Sequence, residues 1–261
     1  MECVTTQQEK AQTLAALYAA PEIFRAVNVW DVVSAKTVAA LPQTKAIVTA
    51  GHSIAATFGY PDGEKIPLEL MLDMVGRIAA AVDLPVSADL DAGYGDAGET
   101  VRRAIGVGAV GANIEDRLRP LADSVAAVEA VIAAGDAEGV PFVLNARTDA
   151  FARAGGRPVE ESVADAIARG RAYIDAGASL VFVPGLLTAD LTRQLVEGIG
   201  ERRISVIGIP GALSAAEYEA LGVARISYGP MTQRVALTAL QDVATDLYGD
   251  GVIPASTRSL N

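Results

Sequence analysis

The chain has 261 residues, 51% of them hydrophobic, which suits one large α/β domain, residues 1–261, or two small ones, with a substantial core. Its formal net charge of −11 argues against a nucleic acid partner, because such a surface repels phosphate. A single cysteine, Cys3, excludes an intrachain disulfide and a cysteine-based metal site.

The start, "MECVTTQQEK", has no basic segment followed by an apolar run, and no stretch is long and apolar enough to span a bilayer. We therefore expect a cytoplasmic protein with no membrane partner. The first twenty residues read as a helix that precedes the first strand. Eight β-rich runs follow: "AVNVWDV" from Ala26, "KAIVTAG" from Lys45, "LPVSADLD" from Leu84, "GANIEDR" from Gly111, "PFVLNART" from Pro141, "SLVFVPG" from Ser179, "RISVIGIP" from Arg203 and "ARISYGP" from Ala224. Helical patterns lie between them, such as "PLELMLDMVGRIAAAV" from Pro67 and "VEESVADAIARGRAYIDAG" from Val159, the latter ending in a capping glycine. "MTQRVALTALQDVATDLYG", from Met231, reads as the last helix. Strands alternating with helices imply parallel βαβ units, and eight such units at even spacing predict a closed (β/α)8 TIM-type barrel rather than an open sheet.

Such a barrel carries its chemistry at the C-terminal ends of its strands. The first five runs end in Trp30 and Asp31; Thr49 and His52; Asp89 and Asp91; Asn113, Glu115 and Asp116; Asn145, Arg147, Thr148 and Asp149. The last three end almost bare, at Pro184 and Gly185, Pro210 and Gly211, and Ser227 and Tyr228. Asp89 and Asp91 lie at i and i+2, so their side chains share one face of a strand. Two carboxylates that close repel each other, and an unpaired buried charge is costly. A cation between them removes both problems, and Glu115 on the next strand offers a third oxygen. An all-oxygen set suits Mg²⁺, with Mn²⁺ the alternative. Arg147, one strand further on, offers either a bidentate grip on a substrate carboxylate or an internal pair with Asp149 or Glu115. Taken singly, a D-x-D pair is a turn and an E-D-R triplet is surface charge. Their succession on adjacent strand ends favours a site.

The segments "FGYPDGE", "PVSADLDAGYGD", "GANIEDR" and "PFVLNARTDAF" occur in that order, and from about Trp30 to Gly229 the chain resembles the phosphoenolpyruvate mutase/isocitrate lyase superfamily. The resemblance implies the same barrel, with the C-terminal helix swapped between the subunits of a dimer and dimers paired into a tetramer. It also implies that Asp62, Asp89, Asp91 and Glu115 surround a Mg²⁺, several of them through water. Backbone N–H groups of Thr49, Ala50 and Gly51 would hold a substrate carboxylate. Arg147 would contact the substrate, Asn113 would bind it, Tyr94 would sit beside the metal, and Trp30 would wall the pocket. The metal would hold a 2-oxo acid and stabilise an enolate as a bond next to the carbonyl breaks or forms.

The chain also departs from the family. Isocitrate-type lyases carry a cysteine in the loop after "ED", and the mutases and phosphonopyruvate hydrolases carry "EDK-x-x-P-K-x-N-S". Here the loop reads "EDRLRPLADS", with Leu121 at the lysine position and Asp123 at the asparagine or cysteine position. Asp123 is either a general acid/base on a lid or, with Ser124, a cap for the helix "VAAVEAVIAAG". His52, the sole histidine, either protonates a product carbanion or is a hydrogen-bonded loop residue. Tyr228 either lines the mouth or packs in the core or an interface. Gly185 replaces a glutamate of the lyases, and "VIGIPG" lacks their polar residues. The distal half of the pocket is thus expected to be apolar, fitting a small substrate with one carboxylate and a modest tail.

Three readings follow. The first is a Mg²⁺-dependent carbon–carbon lyase on a small 2-oxo acid or its adduct, decarboxylation included. The second is phosphorus–carbon chemistry of the phosphoenolpyruvate phosphonomutase or phosphonopyruvate hydrolase kind, which a repelling Asp123 disfavours. The third is a non-catalytic member that only binds a 2-oxo acid.

Overall fold

A computed structural model of the chain describes residues 5–260, so Cys3 lies outside the described residues. Helix α1 (Gln7–Ala19) opens on a capping box in which Thr6 and Glu9 satisfy each other's backbone N–H groups. It buries Ala11, Leu14 and Tyr18, spaced to share one helical face. The Gln7 amide donates to the Ile105 and Ala109 carbonyls, and the Tyr18 ring lies 5.8 Å from that of Phe24. This helix thereby covers the N-terminal end of the barrel, opposite the expected site.

The strands are β1 (Phe24–Ala26), β2 (Asn28–Val29), β3 (Ile47–Thr49), β4 (Val86–Asp89), β5 (Gly111–Glu115), β6 (Val143–Arg147), β7 (Leu180–Phe182), β8 (Ile204–Ile207) and β9 (Arg225–Ser227). All pairings are parallel, in the order β1-β9-β8-β7-β6-β5-β4-β3-β2. Only Val27 separates β1 from β2, so the two pieces act as one strand and the sheet closes into a (β/α)8 TIM-type barrel. The first strand thus starts earlier than the run "AVNVWDV" implies and is broken within it. The break is spanned by long-range bonds of one side chain. The Asn28 carboxamide accepts the Tyr228 and Gly229 N–H groups at 2.8 Å each and donates to the Thr49 carbonyl at 2.9 Å. A buried side chain thus bridges the seam where the backbone ladder changes partner.

Helices α2 (Val32–Ala39), α3 (Gly51–Thr57), α4 (Leu68–Ala80), α5 (Ala97–Gly106), α6 (Leu121–Ala137), α7 (Val159–Asp175), α8 (Ala189–Ile199), α9 (Ala215–Ala220) and α10 (Met231–Gly249) connect or follow the strands. Apart from α10, the longer helices bury one stripe, as α4 does with Met71, Leu72, Val75 and Ile78. Helix α6 begins at Leu121, earlier than the expected "VAAVEAVIAAG". No side chain caps it. Among the described residues no helix is long and apolar enough to cross a membrane.

Candidate active site

The C-terminal ends of the strands surround a cavity of about 180 Å³. Its lining includes His52, Asp62, Asp89, Asp91, Asn113, Glu115 and Arg147, all singled out from the sequence. Trp30, Thr49, Ala50, Gly51, Tyr94 and Asp123 are not among the lining residues.

The segment after β4 shows why "DLDAGYGD" has its composition. Asp91, Gly93, Tyr94 and Gly95 all adopt left-handed backbone conformations, with φ of 51°, 87°, 51° and 88°. A side chain at Gly93 would meet Ala97 at 2.7 Å, so glycine is required there. The turn is held by a residue that the sequence reading passed over. Glu64 Oε1 accepts the N–H groups of Ala92 and Tyr94 at 3.1 and 2.7 Å, filling a backbone nest.

Glu64 also begins an alternating string of acids and arginines. Arg117 bridges Glu64 Oε2 and Glu115 Oε1, each at 3.0 Å. Arg147 bridges Glu115 Oε2 at 2.9 Å and Asp149 Oδ1 at 2.7 Å. Arg153 closes the string on Asp149 Oδ2 at 2.9 Å. Of the alternatives left open for Arg147, the internal pairs with both Asp149 and Glu115 are formed. Burial opposes its charge, but Glu115, Asp149 and Asp89 outweigh that and hold its guanidinium above the usual value. Asp149 is fully buried, and two arginines share its charge.

Asp116, next to Glu115, works behind the string. Its Oδ1 accepts the Leu118 and Asp149 N–H groups at 2.9 and 3.0 Å, and its Oδ2 accepts the Tyr173 hydroxyl at 2.7 Å and Arg169 Nη1 at 3.2 Å. This carboxylate ties the connections after β5 and β6 to α7.

Among the described residues the Asp89 and Asp91 carboxylates form no direct ion pair with these arginines, although the Arg147 charge favours ionised Asp89. Asp89 Oδ2 accepts the Gly51 N–H at 2.9 Å. A Cβ at Gly51 would lie 3.3 Å from that oxygen and 3.1 Å from the Asp89 carbonyl, a tight contact that glycine avoids. Asp91 is buried, and its carboxyl is pushed up to about 8, first by burial and then by Asp89, Glu115, Asp62 and Glu64. Burial likewise raises Asp89, and raises Glu115 despite Arg147.

Among the described residues no three acidic, histidine or cysteine side chains converge closely enough to hold a metal by themselves. The chemistry of the donor set nonetheless fits a hard divalent cation. Burial and four neighbouring acids disfavour the charge of Asp91, and all the acidic donors are oxygen. The wide spacing suits Mg²⁺, which keeps several of its waters.

Several expected roles take a different form. The Ala50 N–H donates to the Val29 carbonyl at 3.0 Å, and the Gly51 N–H is engaged by Asp89. The Thr49 hydroxyl accepts the Asp89 N–H at 2.9 Å. Gly51 and Thr49 therefore support Asp89, and the Ala50 N–H is spent on β2. Asp123 is exposed in the first turn of α6 and neither lines the cavity nor caps the helix, because the chain enters α6 directly at Leu121 after Pro120. His52 does face the cavity, with Nδ1 at 3.3 Å from Asp62 Oδ2. Tyr94 packs against the core with its hydroxyl buried and unpartnered. Trp30 packs beside the core, and its N–H donates to Ser34 at 3.0 Å. Asn113 accepts the Asn145 amide at 2.7 Å. Tyr228 lines a groove against α10 instead of the mouth.

The distal wall also needs correction. Phe182, Pro184 and Ile207 make it apolar as expected, but Arg153 lines the same cavity. It was missed because it lies beyond the strand end, in a loop segment with no pattern of its own.

Comparison with known proteins places these features. The family model described as phosphoenolpyruvate phosphomutase matches residues 14–248. A 2-methylisocitrate lyase of Shewanella oneidensis is 28% identical over 225 residues, covering 79% of this chain and 75% of its own. An oxaloacetate decarboxylase of Paraburkholderia xenovorans is 29% identical over 238 residues, covering 82% and 74%. The crystal structure of 2,3-dimethylmalate lyase superposes with a TM-score of 0.82 at 25% identity, covering 95% of this chain and 92% of the other.

Proposed function

The chain belongs to the phosphoenolpyruvate mutase/isocitrate lyase superfamily, and from that premise we propose that it is a Mg²⁺-dependent carbon–carbon lyase acting on a small 2-oxo acid or its adduct. The observation that carries the reading is Asp91, buried at the barrel mouth with its carboxyl pushed up by burial and by the acids around it, Asp89 first among them. Asp89, Asp91 and, through water, Glu115 and Asp62 would hold the cation. A divalent cation there supplies a Lewis acid for the 2-oxo group and for the negative charge that develops on its oxygen.

The chain's own groups do the rest. Gly51 and Thr49 fix Asp89, and Glu64 fixes the turn that carries Asp91. Arg117 and Arg147 hold and orient Glu115 from two sides. Proton transfer falls to His52, because it lines the cavity and Asp123 does not. With Nδ1 facing Asp62 at 3.3 Å, Nε2 is left to exchange a proton with a carbanionic product. The relatives named as a lyase or a decarboxylase break a carbon–carbon bond, which favours this chemistry over phosphorus–carbon cleavage. We place the reaction in the cytoplasm and the enzyme in a homo-oligomer.

Calorimetric titration of metal-stripped protein with Mg²⁺, with and without oxalate as an enolate analogue, tests the site. Mutual tightening of the two ligands is expected. No binding of either makes the acid cluster structural and removes the proposal. Turnover of phosphonopyruvate or phosphoenolpyruvate in a phosphorus NMR assay, the reading the family model's name favours, would replace carbon–carbon with phosphorus–carbon chemistry.

A further inference from the structure

The two arginines that line the cavity are not equivalent. Arg147 commits Nε and Nη2 to Asp149 and Nη1 to Glu115. A substrate carboxylate reaching it must displace one of those acids. Arg153 donates only Nε, to Asp149 Oδ2 at 2.9 Å, and its side chain is 52% exposed. Among the described residues nothing else bonds its guanidinium, so Nη1 and Nη2 remain open. Its position is nonetheless fixed, because its backbone N–H donates to the Asp149 carbonyl at 2.8 Å and its Nε is anchored on the buried Asp149 carboxylate. An anchored guanidinium with a free edge loses little freedom when it captures a carboxylate in bidentate fashion.

Its place in the ring of strands matters equally. Asp89 ends β4, while Arg153 follows β6 and shares the cavity with Phe182 and Pro184 from the β7 end. Arg153 thus lines the cavity from beyond the β6 end, two strands from Asp89, and the cavity of about 180 Å³ admits only a short carbon chain.

We infer that Arg153 is the specificity-determining residue of this site: its free guanidinium edge recognises a second carboxylate, at the far end of a substrate whose 2-oxo acid end is held at Asp89 and Asp91. The substrate class is therefore a short dianionic 2-oxo acid, in place of the monocarboxylate with a modest tail that the bare ends of β7 and β8 imply. This assignment rests on the proposed 2-oxo acid site.

Calorimetry on the Mg²⁺-loaded full chain tests it with three probes: oxalate, pyruvate with its single carboxylate, and 3,3-difluorooxaloacetate, which carries two. In the unaltered protein the dianion binds more tightly than pyruvate. Arg153→Gln lowers that affinity ratio about tenfold, the worth of a charge-assisted hydrogen bond. Arg153→Lys, which keeps the charge but has no fork to pair bidentately, restores only part of the ratio. Taking a ratio cancels any disturbance of Asp149 that affects both probes. An unchanged ratio in Arg153→Gln, or no recovery in Arg153→Lys, overturns the assignment while oxalate binding shows the site itself to be sound. If oxalate fails to bind the unaltered Mg²⁺-loaded protein, the 2-oxo acid site falls and this assignment falls with it.

Discussion

Asp91 sets the pH behaviour of the site. Its carboxyl, pushed up to about 8 in the folded protein, has an ordinary value of about 4 when unfolded. Between those values the folded state holds a proton that the unfolded state has released. The contribution of Asp91 to stability is therefore full below that window and is lost as pH rises through it. A divalent cation relieves the penalty where it is largest. Mg²⁺ is thus expected to raise Tm more at about pH 8 than at about pH 5 in scanning calorimetry at constant ionic strength. An equal rise at both would show that Asp91 is not the acid that the cation relieves. Asp91→Asn should abolish the rise and leave the metal-free variant at least as stable as the unaltered chain at the higher pH.

Glu64 makes a separate claim at this scale. One of its oxygens holds the Ala92–Tyr94 backbone and the other meets Arg117. Glu64→Gln keeps the shape but weakens both the nest and the ion pair. Mg²⁺ affinity should fall about tenfold to a hundredfold, as for other residues that orient metal ligands, while the circular dichroism spectrum is retained. Unchanged affinity would mean that the glycines alone fix the turn. The sequence made Asp89, Asp91, Glu115 and Arg147 visible because they end successive strands. Glu64 and Arg153 sit in loops, and their importance lies in partners that no local spacing records.

Among the elements, α7 braces the mouth from behind. Tyr173 and Arg169 lie one turn apart on it and both reach Asp116 Oδ2. Asp116 in turn fixes the backbone of Asp149, and so the partner of Arg147. Burial first, then Asp116, raises the Tyr173 phenol, which therefore stays a donor. Tyr173→Phe removes one hydrogen bond to a buried carboxylate and should cost about 2 kcal/mol in urea unfolding. A cost near zero would mean that Arg169 alone satisfies Asp116. Element boundaries were legible where periodicity ran unbroken: α10 spans the expected Met231–Gly249, and α7 stops just short of Gly177. They were not legible at β1 and β2, since the break depends on Asn28 bonding Thr49 and Tyr228, which are 21 and 200 positions away. The early start of α6 was missed for a related reason, since Pro120 opens the helix without a capping side chain to announce it.

For the whole molecule, α10 is the element left incomplete. Its base is anchored: Thr232 Oγ1 donates to the Asn28 carbonyl at 2.8 Å, and the Gln233 amide donates to the Ser53 carbonyl at 3.1 Å. Beyond that base, Val235, Leu237 and Leu240 are 70%, 55% and 62% exposed. A groove of about 850 Å³ runs between α10 and the connection after β8, lined by Ile209, Pro210, Leu213, Tyr228, Met231 and Val235. Apolar side chains so concentrated on a chain of net charge −11 mark an interaction surface. Its complement is expected to be the same face of a second copy, which would cover the helix and groove reciprocally. Sedimentation velocity should therefore show a dimer or tetramer, and Leu240→Asp should shift it towards monomer. A monomeric unaltered chain, or an unshifted variant, would refute this. The consequence reaches the site. Asn28, which lines the cavity and stitches the barrel seam, carries the base of α10 on its carbonyl. Dissociation should loosen that seam, so the Leu240→Asp variant is expected to bind Mg²⁺ and oxalate more weakly at protein concentrations where it is monomeric, and to recover affinity as concentration restores the oligomer.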